Sequence, residues 1–175
     1  MKKIFLFAIL FAVSASGNHI YAQKCKFDSD KEDEFTKEHV RSVKHPIGSI
    51  LFRWWMLMEQ KGPKFELTLQ VSTTGKMDDV FAKGSKMLFK LENGKVVEIV
   101  ADADYMPAFH VESNTIITNW LPKGIVSEEN MKALSESPIT AIRVNVANKD
   151  VNAPNITGKE ADKIQQSATC FLMKD

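Results

Sequence analysis

The chain is short of most features that would assign it at a glance. Only two cysteines occur in 175 residues, too few for a disulfide-dense mini-protein or a four-ligand zinc site. Neither sign of charge predominates, with 23 Lys and Arg against 22 Asp and Glu. The basic footprint of a dedicated nucleic-acid binder is therefore missing, and no nucleic-acid partner is expected. Catalytic signatures are absent as well: there is no GxSxG elbow, no HExxH, no phosphate-cradling glycine loop and no GxGxxG. His110-Val111-Glu112 has the opening of a zinc deaminase motif but no PCxxC partner. No catalytic, cofactor-binding or metal-ligating residue is assigned on this basis, and no cofactor is expected. What is present is 44% hydrophobic and 26% charged residues, a balance that excludes disorder, collagen and coiled coil. The length suits one domain.

Residues 1–22 read as a signal peptide: Lys2 and Lys3 supply the positive start, and IFLFAILFAV is an apolar run of ten residues. A membrane span needs about 20 such residues, and no later run approaches that length. Cleavage after Ala22 leaves residues 23–175 as a single β-rich globular domain with no membrane span. Removing Lys2 and Lys3 turns the balance to 21 basic against 22 acidic residues. A bacterial lipoprotein reading of Cys25 is disfavoured, because the charged Lys24 precedes it. The expected destination is exported, meaning periplasmic, cell-surface or secreted, where disulfides persist. There Cys25 and Cys170 are candidates for a bond that ties the two ends together. One observation opposes it: Cys170 lies opposite the apolar stripe of its helix, so it pairs only if the last turn frays or the N-terminal segment crosses the helix's outer side.

Period-two patterning dominates the middle of the chain. Residues 25–38 are charged, with Phe27 and Phe35 as their large apolar groups, and read as an irregular leading segment pinned by those rings. Strands are expected at 39–44, 49–58, 64–72, 86–91, 95–100, 108–111, 115–121 and 139–147. In KFELTLQVS, Phe65, Leu67, Leu69 and Val71 point one way and Glu66, Thr68 and Gln70 the other. Asn93-Gly94 predicts a hairpin with a type I′ turn. Pro122 and Gly124 are expected to end the strand before them. Ser127 as N-cap predicts a helix over about 127–135, and Thr157-Gly158-Lys159-Glu160 has capping-box form ahead of a helix over about 158–172. No βαβ alternation occurs. The fold class is therefore mainly β: an antiparallel β-sandwich or strongly curved sheet of seven to eight strands with two short helices.

Aromatic residues offer the best functional handle. Trp54 belongs to the all-apolar parity of 49–58, whereas Trp55 shares its side with Arg53 and Glu59. Trp120 ends a strand beside Asn119. Carbohydrate-binding modules stack a sugar's apolar face on an indole while polar neighbours bond its hydroxyls. Trp55, Arg53 and Trp120 are therefore the candidate ligand-binding residues, unless a helix or loop covers Trp55. His39, His45 and His110 are too scattered to define a site. Asp28, Asp30, Glu32, Asp33 and Glu34 invite a calcium reading, but an EF-hand loop wants glycine where Asp33 stands and glutamate where His39 stands. Asn155-Ile156-Thr157 fits an N-glycosylation sequon, with opening the last helix as its simpler role.

Tyr21-Ala22-Gln23, the early cysteine followed by Asp33-Glu34-Phe35-Thr36-Lys37, the stretch LFKLENG at 88–94 and SPITAIRV at 137–144 resemble a group of small exported proteins of gut and oral Bacteroidetes whose function is not known. The resemblance spans most of the chain after residue 22 and implies a periplasmic or secreted β-rich domain. Its motifs are structural, and no functional residue is carried over. The expected role is binding of a glycan or protein ligand without catalysis. The alternative is a structural or interaction protein of the cell envelope that uses an exposed sheet edge.

Overall fold

The structure, a computed structural model, describes residues 25–48 and 53–173. The signal-peptide reading and the opening residues 49–52 of the expected 49–58 strand lie outside them. The strands are β1 (Ser29–Glu32), β2 (His39–Ile47), β3 (Trp54–Lys61), β4 (Lys64–Thr74), β5 (Lys86–Leu91), β6 (Val96–Val100), β7 (Ala108–Glu112), β8 (Thr115–Trp120) and β9 (Lys123–Val126). After helix α1 (Glu128–Glu136) come β10 (Ile139–Val146), β11 (Lys149–Asn152) and helix α2 (Gly158–Leu172). All pairings among these strands are antiparallel. A larger sheet runs β1-β2-β3-β4-β8-β7 with β9 also on β4, and a smaller one runs β11-β10-β5-β6. The architecture is mainly β and sandwich-like, as expected. Eleven strands replace the expected seven or eight because β1, β9 and β11, four residues each, add short pieces.

Alternation places the core. On β4, Leu67, Leu69 and Val71 are fully buried and Phe65 is partly buried against Phe171. On β3, Trp54, Met56 and Met58 point to the same side. Trp54 Nε1 donates to Ser72 O at 2.8 Å, which satisfies its one polar group inside the core. On β10, a bulge between Ile139 and Ala141 lets Ile139 join Ile142, Val144 and Val146 in the interior despite its opposite parity.

The β8–β9 segment departs from expectation. Val71 pairs Trp120 and Phe65 pairs Val126 in one unbroken register, so β8 and β9 are two halves of a single strand along β4. Pro122 cannot donate to the ladder, yet Leu69 N still bonds Pro122 O at 2.9 Å. The proline removes one bond and interrupts the strand without ending it. Gly124 has a separate reason to be glycine: a Cβ there would meet Val100 O at 2.4 Å. At that point β9 runs against the end of β6, and the two sheets meet.

Turn chemistry also differs from the sequence reading. In the Asn93-Gly94 hairpin only Gly94 has positive φ, with Gly94 N bonded to Leu91 O and Leu91 N to Lys95 O. This is a three-residue loop with a bulged glycine, not the expected type I′ turn. The two-residue turns with both φ positive are Ser113-Asn114 and Ala147-Asn148, which join β7 to β8 and β10 to β11.

Both helices lie where their caps put them. Ser127 accepts the Asn130 N–H, and Thr157 and Glu160 form a reciprocal capping box. Helix α2 packs against β2 and β10 and so bridges the two sheets. Cys25 and Cys170 are disulfide-bonded, with Cα atoms 5.5 Å apart and a sequence separation of 145. The helix remains regular through Cys170. The N-terminal segment reaches it from outside instead, and Phe27 seats on Phe171 with ring centroids 5.1 Å apart. Phe35, expected to pin this segment too, is 94% exposed at the tip of the β1–β2 turn. Asp33 organises that turn by accepting the Phe35 and Thr36 N–H groups. Those bonds, the one from Thr36 first, hold its carboxyl below the usual carboxylate range.

Candidate functional site

The larger sheet has one face turned to the core and one turned outward. Residues on the outward face alternate with the buried set, and none of those described is fully buried. Neither helix packs on this face: α2 meets β2 through His45 and Ser167 on the core side. Trp55 is half-buried here. Its direct cross-strand neighbours are Pro46 on β2 and Gln70 on β4. The same register places Arg53 toward Ser72, and Ser72 pairs Asn119 on β8.

Hydrogen bonds fix the polar half of this face. Ser72 Oγ donates to Asn119 Oδ1 at 2.6 Å, and Asn119 Nδ2 donates to His110 Nδ1 at 2.9 Å. The amide is thereby held in one orientation, and the imidazole proton is left on Nε2, which lies 3.9 Å from Glu112 Oε2. Three strand spacings separate β3 from β7, and the registers set His110 in line with Thr74 while Trp55 is in line with Gln70, so Trp55 and His110 stand roughly 20 Å apart at diagonal corners of this face.

Cations flank the indole. Lys44 Nζ stands 4.4 Å and Arg53 Cζ 5.5 Å from the Trp55 ring centroid. Arg53 Nε is shielded from solvent and has no hydrogen-bond partner among the described residues. Further along the same face Glu66 lies between two amines, 3.0 Å from Lys61 Nζ and 2.7 Å from Lys123 Nζ. Burial pushes the Glu66 carboxyl up, but the bonds from Lys123 and Lys61 outweigh it and hold the group below its ordinary range.

No known protein family, curated protein or solved structure matches this chain.

Of the three residues singled out by sequence, Trp55 and Arg53 stand together on the outward face. Trp120 does not join them: it is 1% exposed, and its Nε1 donates to Asp79 O at 2.9 Å. It is a core residue holding the 75–82 loop against β8, so it is withdrawn as a ligand contact. Gln70, Ser72, Asn119 and His110 complete the face and were not recognised as a set. They lie on three strands, and no local spacing in the sequence links them. Asn119 beside a tryptophan was the one visible hint.

Proposed function

We propose that the protein is an exported, non-catalytic binding domain whose outward sheet face takes a carbohydrate. The observation that carries this reading is Trp55, half-buried on a sheet face that neither described helix covers, in one surface with Gln70, Ser72, Asn119 and His110. An indole supplies the apolar platform for a sugar ring, and fixed amide, hydroxyl and imidazole groups supply hydroxyl recognition. The Lys44 and Arg53 cations over the ring do not oppose this, since each contact is worth only about 0.5–1 kcal/mol at an exposed site and both side chains are flexible. Export is supported by the N-terminal apolar run and by the disulfide, which needs an oxidising compartment to persist. A glycan array probed with wild type, Trp55→Ala and Asn119→Ala tests the reading. Signals seen with wild type and lost in both variants support it; a blank array for wild type, or equal signals in all three, ends it.

A second reading, an interaction protein of the cell envelope, is favoured by the β7–β8 hairpin. β7 is the edge of the larger sheet and exposed along its whole length, with Phe109 44%, Val111 70% and Ile116 40% exposed. Such an apolar edge invites pairing with another chain. Sedimentation of wild type against Val111→Lys distinguishes the two: a concentration-dependent dimer abolished by the lysine supports the envelope role, and a monomer throughout removes it.

A further inference from the structure

A second concave site lies between helix α2 and the outer edge of β2, sharing Lys44 and Pro46 with the border of the Trp55 face. β1 pairs with β2 only over His39–Ser42, so beyond Ser42 the edge of β2 opposite β3 has no strand beside it among the described residues. Helix α2 stands there instead, and residues from Thr157 to Cys170 form one wall of a cleft of about 510 Å³. The open strand edge is not a docking edge for another strand. The Lys44 N–H is bonded to Asp28 Oδ2 at 2.7 Å, and Pro46 has no N–H to offer.

The lining is polar and its charges are unequal. Lys26, Lys44, Lys159 and Lys163 face it against Asp28 and Glu160. Both carboxylates are occupied: Asp28 by the Lys44 N–H, and Glu160 by the Thr157 N–H at 2.8 Å and the Thr157 hydroxyl at 3.0 Å. Lys44 lies over Trp55, but Lys26, Lys159 and Lys163 make no ion pair or hydrogen bond with any described residue. On the inner wall His45, 7% exposed, shares a 2.9 Å hydrogen bond with Ser167 Oγ. Gln166 and Thr157 add neutral donors and acceptors around them.

We propose that this cleft binds a small hydroxyl-rich oxyanion, a sugar acid or sugar phosphate, with Lys26, Lys159 and Lys163 meeting the anionic group and Ser167, Gln166 and Thr157 meeting hydroxyls. The volume supports a body larger than a bare ion, because small-molecule sites measure about 300–1,000 Å³. Unpaired ammonium groups around a partly enclosed polar space select for negative charge, and neutral sugars lack the group that would satisfy them. The inference does not depend on the Trp55 face.

Calorimetric titration at 0.15 M salt with glucuronate, glucose 6-phosphate and glucose tests it. One-to-one binding of either acidic sugar without binding of glucose is expected, and which acidic probe binds distinguishes carboxylate from phosphate. Lys159→Gln/Lys163→Gln should weaken that binding about tenfold, Ser167→Ala should weaken it as well, and Asn119→Ala, which alters the sheet face away from the cleft, should leave it unchanged. The lysine variant changes exposed positions, and circular dichroism verifies that it folds. Absence of binding by both acidic probes, binding unaffected by the lysine pair, equal binding of glucose, or loss in Asn119→Ala would overturn the proposal.

Discussion

Replacing both cysteines, as Cys25→Ser/Cys170→Ser, removes a cross-link that spans a sequence separation of 145. Loop-closure entropy for a ring of that size corresponds to about 5 kcal/mol of stabilisation, an upper figure from which any native strain subtracts. Other contacts also hold the N-terminal segment: Phe27 seats on Phe171, Arg41 lies over the Phe27 ring, and β1 pairs β2. The loss should therefore fall at about 3–5 kcal/mol, a large share of the roughly 5–15 kcal/mol that holds a domain folded. Urea unfolding followed by tryptophan fluorescence measures it, because Trp54 and Trp120 are buried and report the core. The slope of free energy against urea should also rise, since an uncrosslinked unfolded chain exposes more surface. Reductant should destabilise wild type to the level of the variant and leave the variant unmoved. A loss below about 1 kcal/mol with an unchanged slope would refute the reasoning, because the ends would then not constrain the unfolded chain.

Gly124→Ala should cost about 1–3 kcal/mol, because its Cβ would fall 2.4 Å from Val100 O and 2.6 Å from Ile99 Cγ2 where the sheets meet; an unshifted melting midpoint would show that this contact is loose. Ala147, at φ 48 in the β10–β11 turn, should gain about 1 kcal/mol as Ala147→Gly, and a lower midpoint would contradict the turn assignment. His45 gives a pH signature. Burial, opposed by Asp28 and assisted by Lys163, holds its pKa below the ordinary value of about 6.5. The unfolded chain then binds the proton more readily, so this contribution is intact above about pH 6.5 and is lost as pH falls toward the folded-state pKa. His45→Gln should flatten the stability profile below about pH 6.5, and an identical slope in both proteins would rule the histidine out.

What the sequence showed was mostly what short-range physics controls. β4 alternates strictly because one face is core, and α2 starts and ends as its capping box and apolar stripe require. The strands that escaped notice, SDKE, KGIV and KDVN, are four residues long, mostly charged or small, and held by pairing with distant partners. β9 was hidden because proline and glycine read as a stop, whereas β4 carries the pairing past both. Local polarity is a poor guide on β8 as well. Thr118 is buried and Ile116 is 40% exposed, the reverse of a hydropathy reading. The Thr118 hydroxyl donates to Gly75 O and accepts the Met77 N–H, so a folded-over loop makes the polar residue the inner one. Trp120 is inside for the same reason. In the candidate site, Trp55 and its charged neighbour were visible from strand parity. Ser72, Asn119 and His110 came together only through the β4–β8 and β7–β8 registers, which no local pattern encodes.

The most direct test of sugar binding at the sheet face is intrinsic fluorescence during titration with a panel of neutral oligosaccharides, since Trp55 is the half-exposed tryptophan and Trp54 and Trp120 are buried. A saturable change in wild type that disappears in Trp55→Ala, while the unfolding free energy of the variant stays within about 1 kcal/mol of wild type, is the predicted result. No saturable change with any oligosaccharide, or one that survives in Trp55→Ala, would contradict the account.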